Sequence, residues 1–232
     1  MSDLKTESIK FIKQNKHLLI ERFIINSGYQ PVDKPLTIFM AGSPGAGKTE
    51  FSKRFIVNRE NSCVRIDADD IREIIPGYTG NNSDEVQSAA SIGMEKLYDY
   101  ILKYKYEAVI DGTLASYDVA KRNIERALKR DRVVYIFYVY QDPLSAWFFT
   151  KAREKTEGRV ITKEVFVEDF FKAYENVNKL KEEFKDNIEV YVIEKNYDHD
   201  LVKFERNIAT LDGVVKIPYN KQTLAKELKD IV

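Results

Sequence analysis

The stretch "LTIFMAGSPGAGKTEFSKRFIV", residues 36–57, decides the fold. A short apolar run (36–41) meets a glycine-rich loop, and the loop runs into a helical pattern. Gly42, Ser43, Pro44, Gly45, Ala46, Gly47, Lys48 and Thr49 match G-x-x-x-x-G-K-[ST] in full, between a strand and a helix as the mechanism of such a loop requires. Glycines let backbone N–H groups converge on a phosphate, and the following helix N-terminus, opened by Lys48, Thr49 and Glu50, adds partial positive charge. Lys48 suits the terminal phosphates and the Thr49 hydroxyl suits Mg²⁺. A chance match in an unrelated loop is the alternative, and the flanking elements argue against it.

Outward from the loop, strand and helix patterns alternate. "CVRID" (63–67) reads as a second strand, and Ser83 caps a long helix to about residue 105. "YEAVID" (106–111) and "VVYIFYVY" (133–140) read as buried strands around a helix near 117–130. Asp142-Pro143 begins a helix through Arg153, Thr162 caps another through Phe184, and "IEVYVI" (188–193) is a further strand. Strands separated by helices imply a mainly parallel sheet in a three-layer α/β/α P-loop kinase fold. Residues 1–30 read as an amino-terminal helical appendage, 31–195 as the kinase core and 196–232 as a carboxy-terminal extension packed on it. In that extension "GVVKIP" (213–218) suggests an edge strand and "KQTLAKELKDIV" a terminal helix. The appendage is read as packing rather than as a fused inhibitory segment, because amphipathic helices usually serve a core.

At 232 residues with 44% hydrophobic content, the chain suffices for one sizeable core. Its 37 basic and 37 acidic residues cancel, so no global charge draws it to nucleic acid or an anionic membrane. Cys63, the single cysteine, excludes an internal disulfide and reads as a small apolar residue entering a strand. The amino terminus mixes both charge signs with apolar residues, which fits neither a signal peptide nor a membrane span, so a cytoplasmic protein is expected.

The remaining chemistry sits where strands end. Asp67 ends the second strand and Asp69 and Asp70 follow it, and in an open α/β sheet ligands bind outside the carboxyl ends of strands. Asp69 is the candidate general base for an acceptor hydroxyl, while Asp70 suits the N-cap of the turn that follows. Asp111, after the third strand, suits Mg²⁺, with Thr113 beside it for the acceptor; a capped turn into the next helix is the alternative. Arg153 and Arg159 flank Gly158, a break between two helices, where a mobile lid would carry arginines onto a transferring phosphate. A GTPase reading fails for want of Asn-Lys-x-Asp, since "EKNYD" (194–198) does not match.

Taken together, the glycine loop, "IDADDIR", "DGTL" and the spacing of Arg153, Arg159 and "KE" resemble the zeta toxin family of P-loop kinases over about residues 36–170. The resemblance implies phosphorylation of a UDP-N-acetylglucosamine 3′-hydroxyl from ATP or GTP with Mg²⁺, and in many members a restraining antitoxin protein. By motif, Lys48 and Thr49 match the family's nucleotide and metal residues, Asp69 its catalytic base, Thr113 its threonine at the sugar site, and Arg153 and Arg159 its lid arginines. Asp111 stands where the family usually has glutamate. Ala115 replaces an arginine that would meet the acceptor's diphosphate, and the lid arginines are closer together than in the best-known toxins. Other acceptors (an antibiotic, a sugar, a polynucleotide end) and a non-catalytic nucleotide-dependent binding module remain as alternatives.

His17 and His199 lie far apart with no ligand cluster, so no zinc site is expected. The aromatics of residues 133–140 and 146–149 read as core, with Trp147 a candidate to flank the nucleotide.

Overall fold

The computed structural model describes residues 3–58, 63–196 and 201–228. Strands β1 (Leu36–Ala41), β2 (Cys63–Asp67), β3 (Glu107–Asp111), β4 (Val133–Gln141), β5 (Glu189–Lys195) and β6 (Leu201–Glu205) form one sheet in the order β2-β3-β1-β4-β5-β6. Each of the first five runs parallel to its neighbours among them, and β6 closes the edge antiparallel to β5. All six residues of β1 are buried, as a central strand covered on both faces demands. With β3 on one side and β4 on the other, β1 is where the winding reverses, and a crevice opens beyond its carboxyl end.

The two faces are unequally covered. Helix α3 (Lys48–Asn58) lies on one, over Ile38, Met40, Val109, Phe137 and Ile193. The opposite face carries the main core, under α5 (Ser83–Tyr104), α6 (Tyr117–Leu128) and α8 (Lys163–Phe184). On the α3 face an aromatic row does part of the covering, with Phe51 and Phe55 against Phe137 and Tyr191 stacked on Phe204.

At the amino terminus, α1 (Asp3–Gln14) and α2 (Lys16–Ile20) lead into a π-helical turn, Glu21–Ile25. Ile12, Leu19 and Ile24 are wholly buried within the main core. Helix α1 lies along α5, and α4 (Ala68–Arg72) closes on the same helix. Gly93 of α5 makes room for α4: a Cβ there would stand 2.8 Å from Ile71 Cγ2, whereas Ile12 Cγ2 of α1, at 3.8 Å, would be an ordinary contact. Contacts of 2.8 Å force something to shift, so the missing side chain is what lets α4 approach.

The long helices fall close to their predicted spans, though the N-cap of α5 is Asn82, not Ser83, which is already its first helical residue; α7 (Pro143–Glu157) is capped by the Asp142 side chain on Leu144 N and Ser145 N. Thr162 caps α8 as expected. The predicted edge strand at 213–218 does not form. The amides of Val214 and Val215 both donate back to the Leu211 carbonyl, at 3.0 and 2.9 Å, closing a turn where a ladder would be needed. Strand β6 takes the edge position instead. Leu211, Val215, Leu224 and Leu228 are buried, and Asn220 forms a capping box with Thr223 for α9 (Lys221–Glu227). His199 and part of "EKNYD" lie outside the described residues. Among the described residues, no helix is long and apolar enough to cross a membrane.

Candidate active site

The glycine loop turns between β1 and α3 under close constraint from its neighbours. Gly45 has φ +72°, and a Cβ there would stand 2.0 Å from the Ala146 carbonyl oxygen, so both conformation and space require glycine. The Gly42 amide donates to the Thr113 carbonyl (3.2 Å), fastening the loop to the end of β3. Lys48 folds back over the loop, donating from Nζ to the carbonyls of Gly42 (3.0 Å) and Ser43 (2.6 Å). Burial pulls its ammonium down to about 8, against the opposing pull of Asp111 and Asp169. The Ser43 hydroxyl is buried without a hydrogen-bond partner among the described residues.

At the end of β2 the chain turns directly into α4. The Asp67 side chain accepts from the Asp69 amide (2.9 Å) and is the N-cap, a role the sequence suggested for Asp70. Asp70 instead pairs with Arg65 (2.5 Å), because the helix starts at once after the strand and leaves Asp70 inside its first turn. Arg65 also pairs with Asp67 and, through Nε, with Asp111 Oδ2 (3.0 Å), so one guanidinium ties the ends of β2 and β3 together. Burial, with the neighbouring Asp111 adding to it and Arg65 opposing, pushes Asp67 up to about 6.

Asp69 lines the cavity. Its carboxylate accepts from Arg159 Nη1 at 2.8 Å (Oδ1) and 3.0 Å (Oδ2), and pairs with Arg72, a buried residue that also donates to Gln87. The candidate base therefore rests against Arg159, one of the two candidate lid arginines. Helix α7 ends at Gly158 in the left-handed conformation, and the 158–162 segment carries Arg159 over Asp69 before α8 begins. Arg153 lines the same cavity and pairs with Glu157 one turn on (3.1 and 2.9 Å). Trp147 does not flank a nucleotide site: it is buried edge-to-face against Phe166, because α7 turns that face onto α8.

Asp111 accepts through Oδ2 from Ser52 Oγ (2.9 Å) as well as from Arg65, and it is 5% exposed. The residues present suit Mg²⁺, a hard cation that keeps several waters and takes few protein oxygens. The Thr49 hydroxyl and Asp111 Oδ1 both belong to cavity-lining residues, and no hydrogen bond engages either atom among the described residues. Thr113 sits two residues beyond, its hydroxyl accepting weakly from the Ala115 amide at 3.4 Å.

One cavity of about 800 Å³ joins these groups: Gly45, Gly47, Lys48, Thr49 and Glu50 on one side, Asp69, Asp111 and Thr113 across it, Arg153 and Arg159 above. Pro44 lines it too, whereas Gly42, Ser43 and Ala46 lie behind as the loop's support. Beyond Asp69 the cavity continues between α5 and α6, a lobe that sequence patterns did not indicate. Sequence reading also missed Asp169 of α8, a cavity-lining carboxylate raised by burial and drawn down by Lys48. The signal was an acid between Phe166, Val167 and Phe170 on an inward helical face. Arg65 was likewise legible as an arginine inside an apolar strand.

The Zeta toxin family model matches residues 24–207. Toxin PezT of Streptococcus pneumoniae serotype 4 is 25% identical over 146 residues, 60% of this chain and 58% of that toxin's length. The chain thus spans less than two thirds of that relative. Among solved structures, one from the PezAT chromosomal toxin-antitoxin system of Streptococcus pneumoniae superposes with a TM-score of 0.64 at 20% identity, covering 88% of this chain and 81% of that one. An AvrRxo1-ORF1:AvrRxo1-ORF2 structure with ATP gives 0.58 at 14% identity, covering 87% and 65%. At these identities the structural likeness bears on the fold.

Proposed function

This chain belongs to the zeta toxin family, and on that premise we propose that it is a kinase moving the terminal phosphoryl group of ATP or GTP to a hydroxyl of a small acceptor. The acceptor we favour is a nucleotide sugar such as UDP-N-acetylglucosamine, and toxicity held in check by an antitoxin protein follows from the same premise. The observation that carries the reading is that Asp69 and the glycine loop face one cavity with a lid arginine already on the carboxylate.

In the reaction the loop amides and Lys48 hold the donor's phosphates. Lys48 must leave the Gly42 and Ser43 carbonyls to do so, and a triphosphate gives it a stronger partner. Mg²⁺, held by Thr49 and Asp111, would neutralise charge on the phosphates. Arg159 releases Asp69 and turns to the γ-phosphoryl group, joined by Arg153 from Glu157. Freed of that pairing, Asp69 accepts the proton of the acceptor hydroxyl. The hydroxyl oxygen bonds to the γ-phosphorus as the bridge to the β-phosphate breaks, and the nucleoside diphosphate leaves with that electron pair. Thr113 orients the acceptor. Because Asp69 is masked until Arg159 moves, donor binding and exposure of the base are coupled, which limits wasteful transfer to water.

The direct test is γ-labelled ATP with a panel of hydroxylated acceptors, compared with Lys48→Ala. Label should appear on an acceptor with the unaltered chain alone. ATP binding with no labelled product would leave the nucleotide-dependent binding module standing.

The buried lysine makes a second expectation. Lys48 is half neutral near pH 8 when the site is empty, and bound phosphates favour its charged form. ATP affinity is therefore full below pH 8 and falls as pH rises through it. Calorimetry in buffers of different ionisation enthalpy should show uptake approaching about one proton per ATP by about pH 9. Uptake that is absent, or unchanged in Lys48→Met, would rule this out.

A further inference from the structure

The lobe of the cavity beyond Asp69 is walled by Ser91, Met94 and Tyr98 of α5 and Val119 and Asn123 of α6. Ala115, which also lines the cavity, brings no charge. Charged residues in this lobe are Glu95 from α5 and Arg122 from α6, whose guanidinium pairs with the Glu95 carboxylate across the opening. Arg72, nearer Asp69, is buried and already bonded to Asp69 and Gln87. Arg122 is different: it is 53% exposed, and its partner 47%. Resting on the kinase reading for the lobe's purpose, we infer that Arg122 anchors an anionic group, a phosphate ester or diphosphate, on the acceptor's end remote from the reacting hydroxyl, with Glu95 as its placeholder.

Three observations carry this. The pair is solvent-exposed, and exposed pairs contribute little, so exchanging Glu95 for a phosphate is cheap. A guanidinium fork matches phosphate oxygens in a two-point contact that a single carboxylate bond at one Nη does not use up. The pair is also not needed to fasten α5 to α6, because Arg126 pairs with Asp99 one turn farther along both helices and lies 5.1 Å from the Tyr98 ring centre. Val119, Arg122 and Asn123 share one face of α6, so Arg122 projects on the side that lines the lobe.

Removing either partner of a merely structural bridge would have similar effects, whereas a placeholder and an anchor act in opposite directions. The measurement is calorimetric binding of UDP-N-acetylglucosamine to the full chain saturated with a non-hydrolysable ATP analogue and Mg²⁺, which needs no turnover. Arg122→Gln should weaken binding by about ten-fold or more, Arg122→Lys should recover part of it, and Glu95→Gln should tighten it several-fold. N-acetylglucosamine, lacking the phosphates, should bind equally to all variants. The inference is overturned if both Gln variants shift affinity the same way, if neither shifts it, or if the unaltered chain binds only the neutral sugar. Failure of phosphoryl transfer with these binding shifts intact would count against the kinase reading alone.

Discussion

Asp69→Asn is expected to lower kcat by about 10²–10⁴-fold, the usual contribution of a positioned general base. The asparagine keeps one oxygen for Arg72, which is 2% exposed and still bonded to Gln87, so the local fold should persist. Alanine would leave that guanidinium short of a partner and confuse stability with chemistry. Steady-state kinetics with a melting curve for each variant decides the matter. A variant with normal melting and unchanged turnover would remove Asp69 from the role of base.

Arg159→Ala is expected to reduce kcat by about 10³-fold or more, the scale of an arginine that neutralises charge on a transferring phosphoryl group. Among the described residues its side chain hydrogen-bonds Asp69 alone, so the loss would be of an interaction made only once the donor is bound. Lysine at this position should restore little, because it cannot present two fixed donors to a phosphate. Single-turnover kinetics separates this from slow product release. A variant impaired only in KM for ATP would make Arg159 a binding group rather than one acting in the transfer step.

The central fold was legible because its signals are local. The run 36–57 carries a strand, a loop and a helix start within a few residues, and the structure holds them with the expected boundaries. Caps at Asp142 and Thr162 were legible for the same reason, since a side chain and the amide it accepts from lie two or three residues apart. Asp70 and "GVVKIP" show where local reading stops. Both Asp67 and Asp70 suit an N-cap by type, and the choice depended on how soon the helix follows β2. Val214 and Val215 favour a strand by propensity, and the Leu211 carbonyl overrode that.

The site was partly legible. Lys48, Asp69, Arg153 and Arg159 line one cavity although they are spread over more than a hundred positions, and motif spacing named all four. Arg65 holding three carboxylates, Asp169 and the lobe between α5 and α6 come from long-range pairing and helix orientation, which no short window contains.

Helix α5 belongs to two compartments at once. Its Ser91, Met94 and Tyr98 line the candidate site's chamber, while Gly93 lets α4 settle against it and α1 lies along it. Helix α1 thus backs the wall of that chamber while contributing no residue to its lining. On the kinase reading proposed above, drift in that leading segment is a route to a different acceptor that leaves the glycine loop and Asp69 untouched.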